Sequence, residues 1–449
     1  MKILLTTNLP YFPTHGGANT SNRFLLEGFV KNKHSVVIVV PALGTPSQFT
    51  HAQWLEEVKS QGMSVTSEAG VEIFNLNGVE VHAVVEQSGL RRHLIEQIRR
   101  FNPDWTLVSS EDPSQNLLDA ALKHCPGRVV YLARTAPFLP FGPNAFFPSA
   151  TRTKMLGKTA AIVAVSEYVA DYIRQWGGLE PVVLPISFYG EGPFPNHSCF
   201  DKGYVTMINP CAVKGLSIFV ACARALPDFP FAAVPTWGTT EENLNTLRNV
   251  PNIHLLKPTE NVDEIYSESR IILVPSLVAE GKSRVILEAM LRGIPVLASD
   301  CGGNVEAKLD KDFLLPVRPI RAFGEQLDGR MLPIPMIPEQ DIGPWLNALR
   351  RLLSDRDFYH RVSSAGREVA LKFVASMDIA ALQNFLLNLE PNTQTSHSPS
   401  REAEATHMQT IFVLSNGTGA SLADLSPEQK ALLTLRLRKK AATRSEVFA

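Results

Sequence analysis

Short apolar runs alternate with longer amphipathic stretches over the first 390 positions of the chain, and this alternation predicts strands and helices in turn. KILLTT (2–7) reads as a buried strand and YFPTHGGANTSN as a Pro/Gly turn. NRFLLEGFVKN then reads as a helix and HSVVIVV (34–40) as a second strand, the β-loop-α-β unit of a parallel sheet. QFTHAQWLEEVKSQG fits a helix, and VEIFNLNGVEVHAVV predicts a strand pair turning at Asn77-Gly78. Further strands are expected at DWTLVSS (104–110), RVVYLA (128–133) and AAIVAVS (160–166), with Ser166 capping the next helix.

The period is lost in VLPISFYGEGPFPNHSCFDKG, whose prolines, glycines and polar residues mark a linker. It restarts with strand YVTMINP (204–210), helix LSIFVACARAL, strands FAAVPT and NIHLLKP, helix DEIYSES, strand RIILVPS, helix RVILEAMLRG and strand PVLASD. The long amphipathic region PWLNALRRLLSDRDFYHRVSSAGREVALKFV closes this unit. The expected organisation is an N-terminal Rossmann-like domain over 1–185, a linker over 186–200, a second Rossmann-like domain over 201–372, and a terminal helix over 373–390 packing back towards the first domain. A polar tail, 391–449, carries an amphipathic helix at about 426–440.

Composition narrows the class. A chain of 449 residues is too long for one ordinary core, and 45% hydrophobic residues support two. A formal net charge of −1 gives no reason to expect nucleic acid as partner. Five scattered cysteines without a C-x-x-C pair predict a reduced, cytoplasmic chain with no zinc site. Asn8, Pro10 and Pro13 interrupt the first apolar run before it reaches the length of a signal segment. No run approaches the roughly 20 apolar residues of a membrane span, so no integral membrane segment is expected.

The chemistry concentrates in SLVAEGKSRVILEAMLRGIPVLASDCGG, where Glu280 and Glu288 lie eight positions apart. On one helix they would be turned about 80° from each other at about 3.6 residues per turn. With Glu280 on the loop after the strand and Glu288 inside the helix, both can face one crevice at the carboxyl end of a sheet, where open α/β folds bind ligands.

Two doubly wound domains, the early Gly16-Gly17 loop, the Lys214-Gly215 pair opening the second domain, and the Glu280/Glu288 pair followed by EAMLRGIPVLASDCGG together resemble the retaining glycosyltransferases of family 4. The resemblance spans about residues 1–390. It implies an α/β GT-B fold, two doubly wound Rossmann-like domains facing a central cleft. It also implies a nucleotide-diphosphate-sugar donor held by the second domain, an acceptor held by the first, and catalysis with neither metal nor cofactor.

Cleaving a C1–O bond builds negative charge on the departing diphosphate, so fixed positive groups aimed at it should count most. Lys214, at a helix entrance, is the candidate; an exposed lysine beside a turn is the bland reading. Relatives place an Arg five residues earlier, where this chain has Asn209. The resemblance assigns Glu288 to the ribose hydroxyls, against helix-dipole complementation alone, and Glu280 to the transferred sugar. It brings the backbone of Gly281, Lys282 and Ser283, and of Gly302 and Gly303 ahead of Glu306, near the diphosphate or sugar. Lys282 and Arg284 serve equally well as exposed cations. Gly16 and Gly17 permit close backbone approach or simply a turn, and His15 borders them. The family histidine after RVVYLA is replaced by Arg134, which cannot act as a base at ordinary pH but can hold a phosphate or an acidic acceptor. Glu111 and Asp112 are further cleft carboxylates or, equally, a turn with a helix cap.

LSPEQKALLTLRLRKK, near the end, resembles the leader before condensation domains of non-ribosomal peptide synthetases. That resemblance implies an assembly-line partner and a peptide or polyketide acceptor, beside the possibility of a small-molecule or saccharide one. Alternatives are a non-catalytic scaffold, a sugar-nucleotide epimerase, or a phosphorylase.

Overall fold

The apolar runs become strands in a computed structural model that describes residues 1–392 apart from 15, 45, 46, 48, 191, 260 and 330. His15 and the helix expected at about 426–440 lie outside the described residues. The described residues cluster as one unit.

The first sheet holds β1 (Lys2–Thr6), β2 (Ser35–Pro41), β3 (Thr66–Glu68), β4 (Val71–Leu76), β5 (Val79–Val84), β6 (Trp105–Ser109), β7 (Val129–Ala133), β8 (Ala161–Ala164) and β9 (Val182–Val183), in the order β3-β4-β5-β2-β1-β6-β7-β8-β9. All neighbours run parallel except β3–β4 and β4–β5. β4 and β5 form the hairpin expected at Asn77-Gly78; φ is 52° and 87° at these two residues, a turn that Asn and Gly accept most readily.

The second sheet holds β10 (Tyr204–Ile208), β11 (Phe231–Val234), β12 (Ile253–Leu255), β13 (Ser269–Val274), β14 (Val296–Ser299) and β15 (Leu314–Leu315), in the order β12-β11-β10-β13-β14-β15 and parallel throughout. Parallel strands are covered on both faces, which is why β6, β7, β11, β13 and β14 are buried from end to end and read as largely apolar runs. A small hairpin, β16 (Phe323–Leu327) with β17 (Pro333–Pro335), was not legible in the sequence: two prolines and an exposed Gly-Glu-Gln stretch hide the alternation.

The long amphipathic region is two helices, Gly343–Ser354 and Arg356–Ala375. Asp355 separates them and caps the second, its carboxylate accepting from the Phe358 N–H at 2.9 Å. The second helix continues past residue 372, because nothing from 356 to 375 breaks it. Helix Ala381–Asn388 buries Leu382 and Leu386 in the first sheet's core, and Trp105 donates its indole N–H to the Leu386 carbonyl at 2.9 Å. The expected linker is partly packed: Ile186, Ser187, Phe188 and Tyr189 are all buried.

Candidate functional site

Strand order makes a crevice in each sheet. β10 lies between β11 and β13, and β1 lies between β2 and β6, so the chain leaves in opposite directions on the two sides of β10 and of β1. Loops diverge at such switch points and leave room for a ligand at the carboxyl ends of the strands. Lys214 follows β10 and Glu280 follows β13, which places both at the switch point of the second sheet.

The loops carrying them are zipped together. The Leu277 N–H donates to the Val213 carbonyl at 2.9 Å. Gly215, with φ +85°, lies so close to the other loop that a Cβ would fall 2.0 Å from the Pro275 carbonyl oxygen. Only glycine fits both that conformation and that distance. The Lys214 ammonium pairs with Glu280 Oε1, to which Ser276 Oγ also donates at 2.8 Å. Both charged side chains are largely covered, at 22% and 15% exposure.

Glu288 stands one turn into helix Arg284–Leu291. Arg284, four residues earlier, donates from Nε at 3.1 Å and Nη2 at 2.9 Å to Glu288 Oε1. Tyr266 donates its hydroxyl to Oε2 at 3.0 Å. Burial and then the Glu288 charge hold the Tyr266 phenol well above its ordinary pKa, so it remains a donor.

The glycines around Glu280 form a close-packed backbone cradle. The Gly303 N–H donates to the Glu280 carbonyl at 2.7 Å, and a Cβ on Gly303 would fall 1.8 Å from the Gly281 carbonyl oxygen. Gly302 has φ +61° and packs on Ala279. Gly281 in turn meets the first sheet's loops: its Cβ would fall 1.8 Å from the Arg134 carbonyl oxygen, and its own carbonyl accepts from Ser166 Oγ at 2.7 Å. Ser166 also caps helix Glu167–Tyr172, accepting from the Val169 N–H at 3.2 Å. Lys282 is engaged away from the crevice floor, with Glu306 at 2.8 Å, and Glu306 accepts from the Glu167 N–H at 2.9 Å. Ser283 is the N-cap residue of Arg284–Leu291 without a capping hydrogen bond from its side chain. Asn209, buried and at φ 59°, accepts from the Gly238 N–H at 2.9 Å; its Nδ2 has no partner among the described residues.

On the first sheet's side, Gly16 and Gly17 open helix Gly17–Lys31 opposite two second-sheet side chains. A Cβ on Gly16 would lie 3.2 Å from Trp237 Nε1, and one on Gly17 3.1 Å from Arg284 Cδ. Glu111 follows β6 and is buried, accepting from Ser110 Oγ at 3.2 Å and Thr7 Oγ1 at 3.4 Å. Asp112 serves its own turn: Oδ2 accepts from the Leu117 N–H at 2.9 Å and Oδ1 from Ser114 Oγ. Arg134 turns its side chain inward. It donates to Asn22 Oδ1 at 2.6 Å, the Ile186 carbonyl at 3.0 Å and Ser109 Oγ at 3.2 Å. Burial lowers its pKa to about 10, Glu111 opposing and Arg284 adding to the effect, so the guanidinium stays charged at neutral pH.

The structure thus brings Lys214, Glu280, Gly281, Gly302 and Gly303 together, and sets Glu288 beside the Gly16-Gly17 turn through Arg284. It directs the side chains of Asp112, Lys282 and Arg134 elsewhere. Sequence reasoning left Arg284 open between an extra cation at the site and an exposed one; it is buried, and the i, i+4 spacing to Glu288 was the available signal. Tyr266 gave none. Among the described residues no three His, Cys, Asp or Glu side chains cluster as a metal site, and no helix is long and apolar enough to cross a membrane.

Residues 203–330 match the family model described as glycosyl transferases group 1. An exopolysaccharide phosphotransferase of Streptomyces coelicolor is 24% identical over 218 residues, which is 47% of this chain and 21% of that protein, so the chain spans about a fifth of that relative's length. Among solved structures, sucrose-phosphate synthase from Thermosynechococcus elongatus superposes with a TM-score of 0.59 at 14% identity, covering 92% of this chain and 99% of that one. Anabaena HepE in complex with UDP and glucose gives 0.56 at 15%, covering 86% and 98%. S. aureus TarM, bound to fondaparinux, α-GlcNAc-glycerol and UDP, gives 0.60 at 10%, covering 86% and 99%. The chain has the α/β fold with parallel sheets of GT-B glycosyltransferase structures.

Proposed function

We propose that this chain is a retaining, metal-independent glycosyltransferase of family 4 that moves a sugar from a nucleotide-diphosphate donor to a hydroxyl of a peptide or polyketide natural product. The observation that carries the reading is the Lys214–Glu280 pair at the second sheet's switch point, inside the segment matched by the family model. The UDP complexes of HepE support a UDP-sugar as the first donor to try.

On donor binding, the diphosphate takes Lys214, and the sugar hydroxyls take the Glu280 oxygen that Lys214 releases. As the C1–O bond to phosphate breaks, Lys214 meets the charge growing on the leaving oxygen. That phosphate oxygen accepts the acceptor hydroxyl's proton while the acceptor oxygen bonds C1 from the same face. The products are the glycoside and the nucleoside diphosphate. Glu288 holds the ribose, and Asn209, whose Nδ2 has no partner among the described residues, offers the diphosphate a neutral donor where relatives use an arginine.

Incubating the protein with UDP-, GDP-, TDP- and ADP-sugars and measuring released nucleoside diphosphate tests this. Lys214→Ala, Glu280→Ala and Glu288→Ala should each cut the rate strongly with the fold intact. Unchanged rates in all three would sink the assignment.

A further inference from the structure

Arg284 spans the crevice. Its Nε and Nη2 hold Glu288 Oε1, while Nη1 donates to Ser21 Oγ at 3.1 Å and to the Phe188 carbonyl. Ser21 belongs to helix Gly17–Lys31 and Phe188 to the first crossing between the sheets. The guanidinium lies 4.9 Å from the Tyr189 ring centroid and 5.8 Å from that of Phe24, and the stem lies against Gly17. The side chain is 7% exposed, so it is a fixed brace and not a solvated cation.

The brace decides what Glu288 has left to offer. A carboxylate presents about four lone pairs. Arg284 occupies both on Oε1 and Tyr266 one on Oε2, leaving a single acceptor position on an oxygen whose orientation is fixed from both sides. A long acid with three rotatable bonds is thereby held in one geometry before any ligand arrives, which reduces the ordering cost of binding.

Resting on the donor reading above, we infer that Arg284 is a positioning residue: braced by Ser21 and the Phe188 carbonyl, it aims Glu288 Oε2 at one ribose hydroxyl and makes the site selective for a ribonucleoside diphosphate. Arg284 does not itself touch the nucleotide.

The test measures dissociation constants by titration calorimetry on the full chain for UDP, GDP and ADP, and for the 2′,3′-dideoxy form of whichever binds tightest. Wild type should prefer the ribonucleotide at least tenfold. Arg284→Gln should weaken the ribonucleotide about tenfold and leave the dideoxy form within twofold, so that the preference collapses; Arg284→Lys, which can still pair with Glu288, should restore part of it. Equal weakening of both forms by Arg284→Gln means that Arg284 only packs the crevice, and an unchanged preference means that Glu288 does not depend on it; either result overturns this inference alone. Wild type that binds none of the three nucleotides overturns the donor reading and this inference with it. Thermal melts of each variant identify unfolding, and Ser21→Ala then replaces any unfolded variant, with a partial loss of preference expected and an unchanged preference overturning the inference.

Discussion

The two walls of the crevice handle charge in opposite ways. The second sheet's wall pairs its ions with each other, Lys214 with Glu280 and Arg284 with Glu288. The first sheet's wall holds the Arg134 guanidinium among neutral oxygens from Asn22, Ser109 and Ile186, and holds Glu111 among hydroxyls. The Lys214–Glu280 pair can exchange partners with a charged, hydroxylated ligand, whereas Arg284, tied also to Ser21 and the Phe188 carbonyl, stays in place. A guanidinium tied to three neutral acceptors is fixed in place. The difference divides chemistry from alignment.

The largest effect should come from breaking an ion pair. On the proposed reading, Lys214→Ala removes the cation that would meet the leaving diphosphate and should lower donor turnover about 10²- to 10³-fold, measured as nucleoside diphosphate release. The joint between the walls is the next place to intervene. Gly281→Val would drive a side chain into the Arg134 carbonyl and should force the walls apart, lowering turnover more than tenfold while much of the melting temperature is retained. Gly215→Ala, confined to the second wall, should instead cost stability, about 1–3 kcal/mol as overpacking, read from denaturant melts. Similar profiles for the two glycine variants would erase the distinction drawn here.

A smaller effect is expected at Arg134. Arg134→Gln removes the guanidinium donors to the buried Asn22 Oδ1 and Ile186 carbonyl and should cost about 1–3 kcal/mol of stability, while nucleotide affinity stays within twofold. The smallest comes from the first sheet's outer layer, where His93 Nε2 lies 2.9 Å from His82 Nδ1. Burial, and then His82, lower the His93 pKa below its ordinary 6.5. The native state therefore binds fewer protons than the unfolded chain, and stability is lost as pH falls from about 6.5 towards the lowered value. Melting temperature should decline across that window, and His93→Gln should flatten the decline.

How much was legible follows the same division. Parallel strands buried on both faces leave largely apolar runs, so most strands could be read along the chain, and the Asn77-Gly78 turn declared its hairpin; the short β3, β9 and β15 could not be read. Lys214, Glu280 and Glu288 could be singled out because their segments resemble a known family's, and the structure sets Lys214 and Glu280 on the loops after β10 and β13. The partners could not. Tyr266 reaches Glu288 from a separate helix, and Ser21 reaches Arg284 across 263 positions of chain; no local pattern encodes either contact. Arg134 was read as a ligand-binding cation because its place after β7 was visible and the acceptors that turn it inward were not. Asp112, an open choice between cleft carboxylate and a turn with a helix cap, spends its carboxylate on Ser114 Oγ and the Leu117 N–H of its own turn.

On the proposed reading, the Lys214–Glu280 pair has a bearing on competition between the donor and inorganic phosphate. A bare phosphate that captured Lys214 would strand the Glu280 carboxylate next to a second anion, with only the Ser276 hydroxyl to soften the repulsion. A ligand that carries hydroxyls alongside its phosphates satisfies both groups in one step. On that reading the pair acts as a gatekeeper: the crevice yields its cation readily only to a molecule whose hydroxyls replace it at Glu280.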